Sequence, residues 1–152
     1  MKGMINMKLT FKKLRDNAVI PKSATATSAG LDLCVCSDAP ITINPGEIVT
    51  IPCGIACYPE REDVVLLVFI RSSLGRKFGL TLSNSVGVID SDYRGEILVP
   101  IINHGSKPYT FEPGERFAQI VVTPVIFPEV CESDELPDSE RGENGFGSTG
   151  RI

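Results

Sequence analysis

Hydrophobic positions along the chain fall into short runs, many of them alternating with polar residues and separated by Gly, Pro, Asn or Asp. Runs of this kind, rich in Val and Ile, are typical of β-strands. No segment keeps an apolar period of 3.6 residues over three turns, so we expect little helix beyond one short turn at 72–77. The predicted strands are 7–11, 31–36, 41–43, 48–58, 64–70, 80–85, 97–102 and 117–126.

Eight or more short strands at this spacing predict an all-β fold, a jelly-roll-like barrel or sandwich. A length of 152 residues suits one domain that can bury its core without a metal or a disulfide. We expect the jelly roll to occupy residues 1–127. Within it, residues 80–89 and 96–102 are predicted to form the two arms of one hairpin.

The character of the chain changes after residue 127. Residues 128–140 contain six acids, two prolines and no base, which predicts an extended acidic linker. Residues 141–152, here named the C-terminal arm, are rich in glycine. Composition leaves two interpretations open for this arm, a disordered terminus or a flexible lid that folds over a ligand. Composition alone favours the disordered terminus, yet the arm has the parts of a lid: a guanidinium, an aromatic ring and hydroxyl groups suited to a nucleotide phosphate and base.

The charge of the chain excludes some partners. With 15 basic and 19 acidic residues, the net charge is −4, which argues against binding to nucleic acid polymers or anionic membranes. The acidic linker alone contributes −6, so the remaining residues carry −4 + 6 = +2, enough for a small basic pocket. No signal-peptide or membrane-length apolar stretch occurs, and a cytoplasmic protein is expected.

The chain has five cysteines and one histidine, but neither CxxC pairs nor metal-ligand spacings. We therefore expect buried, unpaired thiols and no dedicated metal site.

Three features are candidates for chemistry, and each has a structural alternative. Asp90 lies beside a predicted turn and could serve only to form it. Ser72, after the most apolar strand, could be a helix cap. Asp32 is an acid within an apolar strand and requires a partner there.

Taken together, five segments resemble, in order and spacing, the five motifs of the trimeric dUTP pyrophosphatase (dUTPase) family. The resemblance covers about residues 23–150. The segments are Ala-Gly-Leu-Asp-Leu at 29–33, Arg-Ser-Ser-Leu-Gly at 71–75, Gly-Val-Ile-Asp-Ser-Asp-Tyr-Arg-Gly at 87–95, Gly-Glu-Arg-Phe-Ala-Gln at 114–119 and Arg-Gly-Glu-Asn-Gly-Phe-Gly-Ser-Thr-Gly at 141–150.

The resemblance implies a β jelly roll that forms homotrimers, with three active sites at subunit junctions and each arm closing a neighbour's site. It implies hydrolysis of dUTP to dUMP and pyrophosphate, which lowers dUTP and supplies dUMP for thymidylate synthesis. Mg²⁺ would be held by the triphosphate and water rather than by direct protein ligands. Asp32 would act from farther away, through a Mg²⁺-bound water or a buried Arg.

The resemblance also implies residue roles. Asp90 activates water for in-line attack on the α-phosphorus, with Ser72 as a second catalytic candidate. Tyr93 packs under the deoxyribose and excludes a 2′-hydroxyl. Asn84 reads uracil together with backbone groups of Gly87, Val88, Ile89 and Leu98, and Phe146 stacks on the base. The phosphates are held by Arg71, Ser72, Ser73, Gln119, Arg141, Gly147, Ser148 and Thr149.

Two alternatives compete with this interpretation. A dCTP deaminase has a related fold and part of the Arg-Ser-Ser segment, but Tyr93 within 87–95 and Phe146 in the arm favour the pyrophosphatase. A non-catalytic jelly-roll interaction protein would need none of the phosphate-binding groups.

Overall fold

A computed structural model describes residues 7–143, which form eleven strands and one short helix. The elements are β1 (Leu9–Lys13), β2 (Leu31–Cys34), β3 (Ile41–Ile43), β4 (Ile48–Pro52), β5 (Ile55–Pro59), β6 (Val64–Ile70), α1 (Ser72–Phe78), β7 (Leu80–Leu82), β8 (Gly87–Ile89), β9 (Leu98–Asn103), β10 (Tyr109–Phe111) and β11 (Arg116–Pro124).

The strands pair antiparallel in four small sheets, which confirms the predicted all-β, jelly-roll-like fold. The largest sheet has the order β2-β11-β6-β8, and the next has the order β4-β9-β7. β1 pairs with β5 and β10 with β3. The predicted turn of helix is confirmed by α1, although the helix extends one residue further.

The four-stranded sheet has one buried face and one partly exposed face. Along β6, Val64, Leu66 and Val68 are buried, whereas the alternate residues Val65 and Leu67 are only partly covered. This is the two-residue period of a strand with one face on a core. The opposite face of this sheet, on which Val65 and Leu67 lie, is therefore left partly uncovered by the described residues.

An aromatic row connects α1 to the core. Phe78, at the end of the helix, lies 4.7 Å from Tyr109, which lies 4.8 Å from Phe111 (ring centroids). Phe111 in turn contacts Phe117 at 5.8 Å, and both of these rings are fully buried. Burial, with a hydrogen bond to Glu115, raises the pKa of Tyr109. The row fixes the position of the helix at its C-terminal end.

The predicted strand over residues 48–58 is wrong as a single element. It is two strands, β4 and β5, joined by a corner at Cys53 and Gly54. Gly54 has φ +65, and a side chain there would collide with the Cys36 sulfur. Glycine adopts this left-handed conformation without steric cost, so the corner depends on it.

The predicted hairpin is also only partly correct. β7 pairs with β9, but residues 87–89 leave that pairing and join β6 instead. Ser85, with φ +66, redirects the chain between β7 and β8. The sequence pattern does not predict β8 or β10 as separate strands, because three residues are too few for a clear alternation.

Four of the five thiols are buried, as expected, and Cys131 is exposed. All five are free. Within residues 7–143 no cluster of three or more His, Cys, Asp or Glu side chains could hold a metal ion. Residues 126–143 are exposed throughout. No helix in the described part of the chain is both long enough and apolar enough to span a membrane.

Candidate active site

The separation of β8 from β9 opens a cavity of about 110 Å³ between the two strands. β8 pairs with β6 on its far side, and β9 pairs with β4 on its far side. On its near side β9 pairs with β7 only at residues 101–103, so the start of β9 presents an unpaired edge to the gap. The lining residues are Val68, Leu82, Asn84, Gly87, Val88, Ile89, Leu98, Val99 and Pro100. The predicted base-reading residues therefore meet around one small cavity.

Strand alternation shows which peptide groups of β9 face this cavity. Just before the strand, the N–H of Ile97 donates to the carbonyl of Ile55 at 2.9 Å, and its C=O accepts from Cys53 at 3.1 Å. Successive residues of a strand direct their peptide groups to opposite edges. The N–H and C=O of Leu98 therefore point to the gap.

On the opposite wall, β8 also leaves one residue with free peptide groups. The N–H of Arg71 donates to the carbonyl of Phe117 on β11, so odd-numbered residues of β6 face β11 and even-numbered residues face β8. The even-numbered positions 66 and 68 lie opposite Ile89 and Gly87, which direct their peptide groups to β6. The N–H and C=O of Val88 are left to face β9 across the cavity.

A second cavity of about 210 Å³ adjoins the first. The two share Val88, Ile89 and Leu98 in their walls, and the second adds Asp90 and Tyr93. A ligand that placed a flat ring in the smaller cavity would therefore extend its next group past Tyr93 towards the Asp90 carboxylate.

Tyr93 is held against the loop that carries it. Its ring lies over Gly95, where any side chain would collide with it. Its hydroxyl donates to the carbonyl of Glu96 at 3.0 Å. The ring, which is 45% exposed, therefore forms one wall of the larger cavity.

Arg94 braces the loop from its other side. It donates to the carbonyls of Ser91, at 2.7 Å, and Tyr93, at 3.0 Å, while its guanidinium lies 4.8 Å from the ring centroid of Tyr58. The Ser91 hydroxyl donates to the carbonyl of Glu62 at 2.9 Å. These bonds tie the segment after Asp90 to the body of the protein.

Sequence reasoning assigned no role to Arg94 or to Glu96. The one sequence feature that could have pointed to these two residues is their position beside Tyr93 and Gly95, at the end of the 87–95 segment. Their contacts run to distant parts of the chain, such as Tyr58, which a local pattern does not reveal.

The phosphate-binding candidates form a second group at the end of β6. Arg71 occupies the N-cap position of α1, and none of the described side chains caps the helix. The helix-cap alternative for Ser72 is therefore wrong, because Ser72 is already the first helical residue. Ser72 and Ser73 are exposed.

Among the phosphate-binding candidates, Asp32 lies between two guanidinium groups. One oxygen accepts from Arg116 at 2.9 Å, and the other lies 3.7 Å from Nε of Arg71. The Asp32 side chain is only 17% exposed, so the two cations provide the partners that a largely buried acid requires. Gln119 lies opposite Asp32 in the strand register, with its side chain against Gly30.

The predicted residues around Asp90 and the phosphate-binding candidates around Arg71 lie far apart within one chain. Ile89 lies opposite Leu66, so Asp90 lies near Val65 at the start of β6, whereas Arg71 follows its end. At the rise of a β-strand, this stretch separates the two positions by roughly 20 Å. Arg141 is exposed, and the predicted arm residues Phe146, Gly147, Ser148 and Thr149 lie outside the described residues.

The jelly-roll-like fold, with two adjoining cavities beside an acid, is suited to a small-molecule hydrolase. Comparison with known proteins makes this specific: the dUTPase family model matches residues 16–150, and the chain belongs to the dUTPase family. It hydrolyses dUTP to dUMP. The dCTP deaminase alternative and the non-catalytic alternative are not favoured.

Relatives support this assignment over nearly the whole chain. Deoxyuridine 5′-triphosphate nucleotidohydrolase of Desulfitobacterium hafniense (strain DSM 10664 / DCB-2) is 47% identical over 146 residues, 96% of this chain and 97% of the relative. The enzyme of Burkholderia cenocepacia (strain HI2424) is 44% identical over 147 residues, 97% and 98% of the two chains. The solved dUTPase of Staphylococcus bacteriophage 80alpha with dUPNHPP superposes with a TM-score of 0.84 at 30% identity, covering 94% of this chain and 98% of that one.

Proposed function

We propose that hydrolysis proceeds by in-line attack of water on the α-phosphorus of dUTP, with Asp90 as the base. The observation that carries this proposal is that the cavity between β8 and β9 shares three wall residues with the cavity that Asp90 lines. Uracil in the first cavity would direct the sugar and the α-phosphate towards the carboxylate. Asp90 would accept the proton of the attacking water while pyrophosphate leaves, a contribution of roughly 10²–10⁴ in rate.

The facing peptide groups support recognition of uracil. Val88 and Leu98 each offer one donor and one acceptor to the gap, and Asn84 lines the same cavity. Uracil presents an N–H between two carbonyl groups, whereas cytosine reverses one acceptor and the donor. A rigid gap matched to uracil would leave cytosine with unpaired polar groups, which discriminates strongly. Gly87 and Ile89 would complete the wall around the base.

The sugar would pack against the ring of Tyr93, which would leave no space for a 2′-hydroxyl. The phosphates would be bound by Arg71, Ser72, Ser73 and Gln119, and by the C-terminal arm through Arg141, Gly147, Ser148 and Thr149, with Phe146 stacked on uracil. Ser72 would be the second catalytic group. In this proposal residues 1–127 form the catalytic domain, 128–140 the acidic linker and 141–152 the arm.

A homotrimer with shared sites would bring the two groups together. The separation of roughly 20 Å along β6 means that Asp90 would use Arg71 of another copy rather than its own. The partly exposed outer face of the large sheet and the exposed apolar side chains Ile126 and Phe127 support a contact between copies. An isolated chain would then be inactive.

Mg²⁺ fits this site as a companion of the triphosphate. Residues 7–143 contain no metal-binding cluster, and the Asp32 carboxylate is engaged by two guanidinium groups. The metal would therefore be held mainly by phosphate oxygens and water, with Asp32 acting through Arg71 and Arg116. Mg²⁺ would neutralise charge on the phosphates. A mutant dUTPase from phage phi11 of S. aureus coordinates a structural Mg(II) ion, although its likeness to this chain, at 24% identity, shows the fold alone.

A reducing compartment such as the cytoplasm would suit the five free thiols.

Complementation tests the shared site. Asp90→Asn and Arg71→Ala each remove one half of it, so either variant alone should be nearly inactive. Co-refolded in equal amounts, they should recover about a quarter of wild-type activity, because random assembly pairs two intact halves in that fraction of sites. Co-refolding Asp90→Asn with Asp90→Ala should recover nothing. Complementation that failed in a confirmed mixed oligomer would contradict the shared site.

A nucleotide panel tests the specificity. Pyrophosphate release from dUTP should exceed release from dCTP, dTTP and UTP by at least about 10³-fold. Comparable release from dCTP would contradict the proposed reading of uracil, and formation of dUTP or dUMP from dCTP with loss of ammonia would identify a deaminase.

A further inference from the structure

Glu96 follows the loop that carries Asp90 and Tyr93, and both of its carboxylate oxygens are engaged. Oε1 accepts a hydrogen bond from the backbone N–H of Gly54 at 2.9 Å. Oε2 accepts from the guanidinium of Arg15 at 3.2 Å. The Glu96 side chain is 21% exposed and that of Arg15 is 47% exposed, so solvent partly screens this ion pair, whereas the hydrogen bond from Gly54 is partly buried. The carboxylate is therefore fixed in orientation.

One donor, Gly54, belongs to a buried corner of the fold, and the other, Arg15, is a half-exposed residue that follows β1. Gly54 is buried between β4 and β5. Its positive φ angle and the nearby Cys36 sulfur, which leaves no space for a side chain, both require glycine at this position. Arg15 also donates to the carbonyl of Cys36, at 3.2 Å. Glu96 is thus anchored to a part of the protein that cannot shift without disturbing the core.

The backbone of Glu96 in turn orients Tyr93. The Glu96 carbonyl accepts the hydrogen bond of the Tyr93 hydroxyl, and the next residue, Ile97, bonds to Cys53 and Ile55 in the same corner. Among the described residues this carbonyl is the hydrogen-bond partner of the Tyr93 hydroxyl. The position of the tyrosine ring is therefore set by a residue that also lines the larger cavity.

We propose that Glu96, supported by Arg15, is a positioning residue that determines the discrimination between deoxyribose and ribose. The inference rests on the proposed role of Tyr93 as the wall against a 2′-hydroxyl. With the carboxylate removed, the segment after Gly95 loses its side-chain anchor. The ring can then retreat, and the cavity admits the additional hydroxyl of UTP.

Substitution of Glu96 tests the inference through the ratio of kcat/KM for dUTP to kcat/KM for UTP. Glu96→Ala should lower this ratio by roughly five- to tenfold, the effect of one or two lost hydrogen bonds. Glu96→Gln retains an oxygen that can accept from Gly54 and should restore most of the ratio. Asp63→Asn, which breaks an exposed ion pair with Arg61, is the matched control and should leave the ratio unchanged.

Thermal unfolding separates positioning from a purely structural role. If Glu96→Ala lowers the melting temperature but keeps the wild-type ratio, the inference is overturned. Tyr93→Phe keeps the ring but removes its hydrogen bond, and should lower the ratio as Glu96→Ala does. Tyr93→Ala separates the inference about Glu96 from the proposed role of Tyr93. If Tyr93→Ala lowers the ratio while Glu96→Ala does not, only the inference about Glu96 fails. If Tyr93→Ala leaves the ratio unchanged, the proposed role of Tyr93 fails as well.

Discussion

Asp32 accepts a hydrogen bond from Arg116 at 2.9 Å, between two neighbouring strands, across 84 residues of sequence. The same carboxylate lies 3.7 Å from Arg71, so one acid holds both Arg116 and the arginine of the proposed phosphate site. Asp32 is expected to act either through a Mg²⁺-bound water or through an arginine. Its contacts with Arg71 and Arg116 favour the arginine.

Asp32→Asn should therefore lower kcat/KM for dUTP by about tenfold, because the two guanidinium groups lose the charge that orients them. The Mg²⁺ concentration that gives half-maximal activity should stay the same. Steady-state kinetics at several Mg²⁺ concentrations checks both expectations. A higher Mg²⁺ requirement with unchanged saturating activity would instead indicate that Asp32 acts on the metal.

Asp90→Asn should lower kcat by at least about 10², because the amide cannot accept the proton of the attacking water. Affinity should be nearly unchanged, since the base acts on water rather than on the nucleotide. Turnover assays and calorimetric binding of the analogue dUPNHPP measure the two quantities. Asp92→Asn, in the same turn, is the control and should retain turnover. Near-normal turnover of Asp90→Asn would refute the mechanism.

Removal of residues 141–152 should abolish most turnover but leave the melting temperature and the oligomeric state unchanged. The described part of the deleted segment, residues 141–143, is exposed and contributes little to the stability of the fold. Turnover, thermal unfolding and light scattering provide the three readouts. Full activity in the truncated protein would show that the arm is only a disordered terminus.

Thiol labelling should distinguish Cys131 from the other cysteines. Burial raises the pKa of Cys36, Cys53 and Cys57, which keeps them protonated and unreactive in the folded protein. At pH 8, one thiol should react rapidly with a disulfide reagent and all five should react after unfolding. Cys131→Ser should remove the rapid phase, and a remaining rapid phase would contradict the buried positions.

The same pKa shifts predict how stability depends on pH. Below the pKa of about 8.5 of an unfolded thiol, the buried thiols are neutral in both states and their contribution is complete. Above it, the unfolded chain releases protons that the folded protein retains, so the free energy of unfolding should fall as pH rises. Denaturant titrations at pH 7, 9 and 10 measure this decline, and Cys57→Ala should reduce it.

Local pattern was sufficient to predict much of the fold. β3 and β6 have the predicted bounds, and α1 starts at the predicted residue. These elements depend on the order of apolar and polar side chains, which the sequence displays directly. Pattern failed at Gly54, where an unusual φ angle turns the chain inside an apolar run, and at Ser85, where another turns it inside the first arm of the predicted hairpin. A backbone angle leaves no trace in the hydrophobic pattern.

The sequence by itself determined the residue types of the site and, through the order of five motifs, the dUTPase family. Only the tertiary structure decided which of these residues meet. β8 leaves the predicted hairpin to pair with β6, which opens the cavity beside Val88 and separates Asp90 from Arg71. The physical reason is that strand pairing and register depend on hydrogen bonds between distant segments, which no local pattern specifies.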